Sequence, residues 1–196
     1  MATSEVSICN LALQKNGSGR IVSLTEDSPQ ARECNACYEA MRDLELRKHR
    51  WAFAIKRAAL AADATAPAFG PVNYFTLPSD FLRLLEPDEA TNFNTLDWRI
   101  ESNAVGAKAI ATNDSAPLEI RYVWRVVDPT VFDAAFVEAL ACRIASQTCE
   151  KLTQSNAKKA GVQEEYKDAI REARRTNAIE GVSAESPIDT WITARL

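Results

Sequence analysis

The chain reads as an α+β protein: a bundle of about four helices carrying a small inserted antiparallel β domain and an extended C-terminal arm. Three observations predict this. Apolar residues recur with helical spacing before Arg50 and again after Asp128; between them the period shortens to two; and the last stretch follows neither period. The expected division is residues 1–50 and 128–181 as helical bundle, 51–127 as β insertion, and 182–196 as docking arm. At 196 residues the chain is long enough to bury a real core as one domain with an insertion.

Ser4 to Asn16 presents Val6, Ile8, Cys9, Ala12 and Leu13 on one wide face, and Asn16-Gly17-Ser18-Gly19 ends it, with Gly17 placed as a C-cap. A connector, briefly extended at Ile21 and Val22, leads to Ser28-Pro29, a capping residue followed by a proline at the first helical position, where a missing N–H costs nothing. The long helix that follows places Cys34, Cys37, Tyr38, Met41, Leu44 and Trp51 on one stripe. Near Arg50 it runs into an extended segment in which Trp51, Phe53 and Ile55 alternate with Ala52, Ala54 and Lys56.

Residues 61–70 are rich in Ala, Thr and Pro and read as a surface loop; Pro78 favours an extended approach and Ser79-Asp80 a turn. The clearest β signal lies between Trp98 and Val127. Leu118, Ile120, Tyr122, Trp124 and Val126 point one way, Glu119, Arg121 and Arg125 the other. With Trp98, Ile100 and residues 109–112, this predicts an antiparallel meander of three to five strands with one buried face. Asp128-Pro129 restarts a helix with large residues Phe132, Phe136, Leu140 and Ile144, and a small stripe of Ala135, Ala139, Cys142, Ser146 and Cys149 that invites the long helix to pack closely. Ser155 caps a last helix with Tyr166, Ala169, Ile170 and Ala173 on its apolar face, ended by Gly181.

Net charge is -4, but Arg47, Lys48, Arg50, Lys56 and Arg57 form a run without an acid. A weakly acidic chain with one basic run is a poor general nucleic-acid binder, because phosphate binding depends on clustered cations; such a run is more often a solvated face or a protein contact. The first residues carry no basic leader and no apolar run approaches the ~20 residues of a membrane span. Five cysteines, an odd number, point to a reducing compartment.

Cys34-Asn35-Ala36-Cys37 has CxxC spacing, but zinc needs four ligands, there is no second CxxC, and the one histidine, His49, lies far along the helix. A redox pair needs its first thiol at a helix N-terminus, and Cys34 is more than a turn inside. Core packing is the expected role. No phosphate loop, GxSxG or HExxH is present and no acid/base pair can be named, so no catalytic residue, metal or cofactor is expected.

The order of landmarks carries more. ICNLAL, RIVSL, QAREC…YEAMRDLELRKHRWAFAIKRAALA, FTLPSDFLRLL, WRIE…AIATN…LEIRYVWRVVDP, FDAAFVEALACRIASQTCEKLTQS, EEYKDAIREAR and a TWITAR ending follow one another. This resembles the head-to-tail adaptor proteins of tailed bacteriophages, the tail tubular protein A family of short-tailed phages, over nearly the whole chain. HRWAFAIKRAALA with LPSDFLR, and the RYVWRVVDP–FDAAFVEALA junction, are its strongest pieces. The resemblance implies a non-enzymatic virion protein of the neck region, made in the host bacterial cytoplasm. It implies a ring of typically twelve copies between the portal and the tail nozzle or next tail ring, through which DNA passes without sequence-specific binding. The expected contacts to the portal or a neighbouring subunit are Ile188, Trp191, Ile192, Arg195 and Leu196 of the arm, together with Arg47, Lys48 and Arg50. The alternative is a phage or prophage nucleic-acid-binding module using the basic run; a cell-wall hydrolase is a weaker third.

Overall fold

The computed structural model describes residues 3–86 and 97–180. Among these residues are four α-helices and two small three-stranded antiparallel sheets, so the expected α+β class holds. Helix α1 (Glu5–Asn16) begins in a reciprocal box: Ser7 N–H donates to Ser4 Oγ at 3.1 Å and Ser4 N–H to Ser7 Oγ at 2.8 Å. It ends at Gly17, whose φ of 69° is the left-handed conformation that a side chain would strain. Helix α2 (Pro29–Lys48) starts under the Ser28 cap, as its sequence requires.

The face that α2 buries keeps most of the expected stripe and loses Leu44 from it. Ala31, Cys34, Tyr38, Arg42, Glu45 and Leu46 are inside, Cys37 and Met41 sit at the margin, and Leu44 is exposed. Two charged residues are inside instead: Glu45 finds partners on other elements, Arg143 and Tyr166, whereas Arg42 pairs with the next residue of its own helix, which is tied in turn to Arg125. Arg42 Nε donates to Asp43 Oδ1 at 2.9 Å, and Arg125 Nε meets Asp43 Oδ2 at 2.7 Å. Beyond α2 the extended segment expected from Trp51 is a 3-10 turn (Ala52–Ala54). Trp51 and Phe53 belong to the helical core, where Phe136 stands 5.0 Å from Trp51 and 5.2 Å from Phe53 between ring centroids. The strand period begins only at β1 (Ile55–Leu60).

Strands β2 (Asn73–Thr76), β3 (Phe81–Leu84), β4 (Trp98–Ser102), β5 (Lys108–Thr112) and β6 (Leu118–Trp124) complete the β region. The single meander is replaced by two sheets, in the orders β1-β6-β3 and β2-β5-β4. Both edges of β5 are taken, by β2 and β4, and both edges of β6, by β1 and β3, so consecutive strands β5 and β6 do not pair. Leu118, Ile120 and Tyr122 of β6 face a second apolar cluster with Phe75 and Ile110, as their alternation predicts. Val123, Val126 and Leu82 join the helical core instead, so the first sheet is packed on both faces.

Asp128 caps only a 3-10 turn (Pro129–Val131); the helix proper, α3 (Ala134–Thr153), starts five residues later under Asp133, whose Oδ1 accepts from Ala135 and Phe136 N–H. Asp128 and Asp133 offer the same capping chemistry, and Phe132, sunk against Phe136 between them, sets which one opens the long helix. Helix α4 (Asn156–Ile179) starts at Ser155 as expected and buries Val162, Ile170 and Ala173. Helix α3 is the central element and packs on all three others, on α4 and α1 more extensively than on α2. Ala135 and Cys142 of its small stripe line a groove with Ala169 of α4 and Lys15 of α1. Gly181 and the whole arm lie outside the described residues.

Candidate interaction site

The C-terminal end of α2 meets β3 and the far half of α4, and this junction collects positive charge. Arg47 extends its guanidinium to the Leu82 carbonyl of β3. In the reverse direction Arg83 Nη1 donates to the Lys48 carbonyl at 3.3 Å. The two arginines thus clasp the helix end to the sheet, and the partially negative carbonyl end of α2 favours cations there. Asn177 of α4 closes the other side: its Nδ2 donates to the Arg50 carbonyl at 2.9 Å and its Oδ1 accepts from Ala52 N–H at 2.7 Å. Arg50 and Arg174 stand exposed beside them.

Electrostatics register the crowding. The pKa of His49 is held below its usual value, first by burial and then by the positive charges of Arg174, Arg83 and Arg50. That of Arg83 is lowered by burial and then by Arg50 and Arg47. Among the described residues, none of Arg47, Arg50, Arg83 and Arg174 has a carboxylate within ion-pair distance.

The basic run read from the sequence is therefore divided and extended. Lys48 leaves it: its ammonium lies 2.7 Å from Glu45 Oε1 and 3.2 Å from the Tyr166 hydroxyl. Lys56 is taken by Asp80 at 2.8 Å and lies 3.6 Å over the Trp124 ring. Arg47 and Arg50 stay, and Arg83 and Arg174, which the sequence reading did not single out, join them. No spacing rule links positions 47, 83 and 174; only the packing of α2, β3 and α4 does. The arm residues Ile188, Trp191, Ile192, Arg195 and Leu196 lie outside the described residues.

A second charged cluster lies inside the bundle. Glu45, fully buried, accepts from the Tyr166 hydroxyl at 3.0 Å on both oxygens, faces Arg143 Nε at 3.7 Å and holds Lys48. Its own carbonyl receives the Trp51 indole N–H at 3.0 Å. One carboxylate thus joins α2, α3 and α4. It bears no resemblance to an acid/base pair, since its neighbours are two cations and a phenol that donates to it; burial and then the Glu45 charge raise the Tyr166 pKa.

Cys34 is buried and Cys37 half-buried, and the Cys37 thiol points back to the Cys34 carbonyl at 3.6 Å, the geometry of a packed helix side chain. Burial pushes the Cys37 pKa up to about 12. Among the described residues no group of three or more His, Cys, Asp or Glu could hold a metal ion, and no helix is long and apolar enough to cross a membrane. No known family model matches the chain, and no curated protein matches it as a relative.

Proposed function

We propose that this chain is a structural virion protein, a head-to-tail adaptor that forms a ring, typically of twelve copies, between the portal and the tail nozzle of a tailed bacteriophage. One observation carries the reading: the ordered series of segments from ICNLAL to TWITAR, which resembles that family along nearly its whole length. The architecture is compatible, with helices on both sides of an inserted β region. The chain has no enzymatic role in this reading, and DNA passes through the ring without sequence-specific recognition.

Isolated chain mixed with its portal and imaged by negative stain tests the reading directly: rings seated beneath the portal are expected, and two non-interacting populations would end it. The arm is tested by a chain ending at Glu185. It should melt at the same temperature and lose portal binding, with Trp191 alone contributing about 2 kcal/mol or more as an interface anchor. Loss of stability with binding intact would instead place the arm on its own subunit.

The arginine cluster favours one second reading, a nucleic-acid-binding module. Its mark would be binding to arbitrary duplex that weakens steeply with salt, as counterion release requires; the adaptor should bind free duplex weakly.

A further inference from the structure

The arginine cluster has a counterpart on the same molecule. A groove of about 620 Å³ between α1, α3 and α4 is lined by Glu138, Glu165, Asp168 and Glu172, with Ala135, Cys142 and Ala169 among its apolar lining. Lys15 and Arg171 offset part of this charge: Lys15 lies 2.6 Å from Glu138 and 3.4 Å from Glu165, and Arg171 lies 2.9 Å from Asp168. Four acids against two cations leave the groove net negative. Glu172, exposed, has no cation within ion-pair distance among the described residues.

The placement of the two features on α4 is the informative part. Val162, Ile170 and Ala173 bury one face of the helix. At 3.6 residues per turn, Glu165 and Glu172 fall together on one flank of that face, and Arg174 falls roughly 180° from Glu165, on the other flank. Each copy therefore shows an acidic groove to one side and uncompensated guanidiniums to the opposite side. Complementary surfaces on opposite sides of one molecule cannot both be buried in a single two-fold contact. They make head-to-tail contacts, which close into rings when the rotation permits.

We propose that Arg50 and Arg174, with Arg83 behind them, dock into the Glu165–Glu172 groove of a second copy of this chain. This rests on the ring-forming reading above and specifies its subunit contact. Guanidiniums are suited to the task because they pair with carboxylates through two parallel N–H bonds. The hydrogen bond to the Lys48 carbonyl fixes Arg83 in advance, so less of its side-chain freedom is lost on binding. A nucleic acid would satisfy the same cations but leaves the acidic groove without a role; a second copy accounts for both.

The test uses full-length chain in sedimentation experiments at high concentration, in low and high salt, with a basic-side variant (Arg50→Glu, Arg174→Glu) and an acidic-side variant (Glu165→Arg, Glu172→Arg). Unchanged helical circular dichroism and melting establish that both fold. Wild type should self-associate, with the association weakening in salt. Each variant alone should lose at least about tenfold in association, since like charges then face each other. Mixed, the two variants carry one reversed basic side and one reversed acidic side that match. The two remaining wild-type sides also match, so mixing should restore association. Wild type that stays monomeric at high concentration and low salt, or variants that associate as wild type does, would overturn the contact. So would a basic-side variant whose sole defect is loss of duplex binding. Portal binding measured on the same samples separates the two ideas: intact portal binding with no self-association sinks this contact and leaves the adaptor reading standing.

Discussion

Two clusters of charge sit within a few turns of each other on α2, and they are built on opposite terms. Around Glu45 the carboxylate is buried and every partner comes from the same chain: Lys48, Arg143 and Tyr166. Around His49 the cations are crowded and largely exposed, two of them, Arg47 and Arg83, held by carbonyls, with no described carboxylate paired to them. A buried charge must be balanced by the fold itself, because taking it out of water costs several kcal/mol. An exposed one need not be, and can be balanced by something else. The contrast shows that charge density alone does not mark a contact surface; what marks it is charge that the fold leaves unmatched.

Breaking the inner cluster should give the largest effect. Glu45→Ala strands Arg143 and Lys48 and should cost about 3–5 kcal/mol of folding stability, read from denaturant unfolding. A loss under about 1 kcal/mol would mean that water already reaches the site. Tyr166→Phe removes a neutral donor to Glu45 and should cost about 1–3 kcal/mol. Its effect should largely vanish in the Glu45→Ala background, because the two act as one unit.

The outer cluster is sharpened by pH. Lowering of the His49 pKa in the folded state means that the unfolded chain binds the proton more readily. Its contribution to stability is full above the unfolded pKa of about 6.5 and is lost as pH falls from there through the lowered folded value. His49→Gln should flatten the stability profile in that window, and Arg174→Gln should raise the folded pKa of His49, followed by the imidazole proton resonances. Smallest of all, Arg50→Gln and Arg174→Gln should change folding stability by no more than about 0.5 kcal/mol in either direction. A loss comparable to that of Glu45→Ala would make the outer cluster a part of the fold like the inner one.

Much of the outer site was invisible in the sequence for a definable reason. Arg47 and Arg50 stand in a contiguous basic run and could be named. Lys48 stands there too, but a side chain three residues away pulls it inward to Glu45. Arg83 and Arg174 stand in FLRL and REARR, outside the basic run, and acquire a role only when β3 and α4 close on the end of α2. Glu45 carries no local sign of burial, because its partners Arg143 and Tyr166 are about a hundred residues away.

What the sequence determined by itself is whatever acts over one turn or one strand. Ser4, Gly17, Ser28 with Pro29 and Ser155 fixed helix ends through bonds to backbone groups three or four residues away. The alternation of Leu118, Ile120 and Tyr122 fixed which side of β6 is apolar. Together they settle an α+β chain with its helices on both sides of a β region. Tertiary structure decided the rest: that Arg42 and Glu45 and not Leu44 go inside on α2, that Asp133 and not Asp128 opens α3, and that six strands divide into two sheets. Each of these choices lies between local alternatives of nearly equal energy. Only partners distant in the chain, such as Phe136 for Trp51 or Asp43 for Arg125, break the tie.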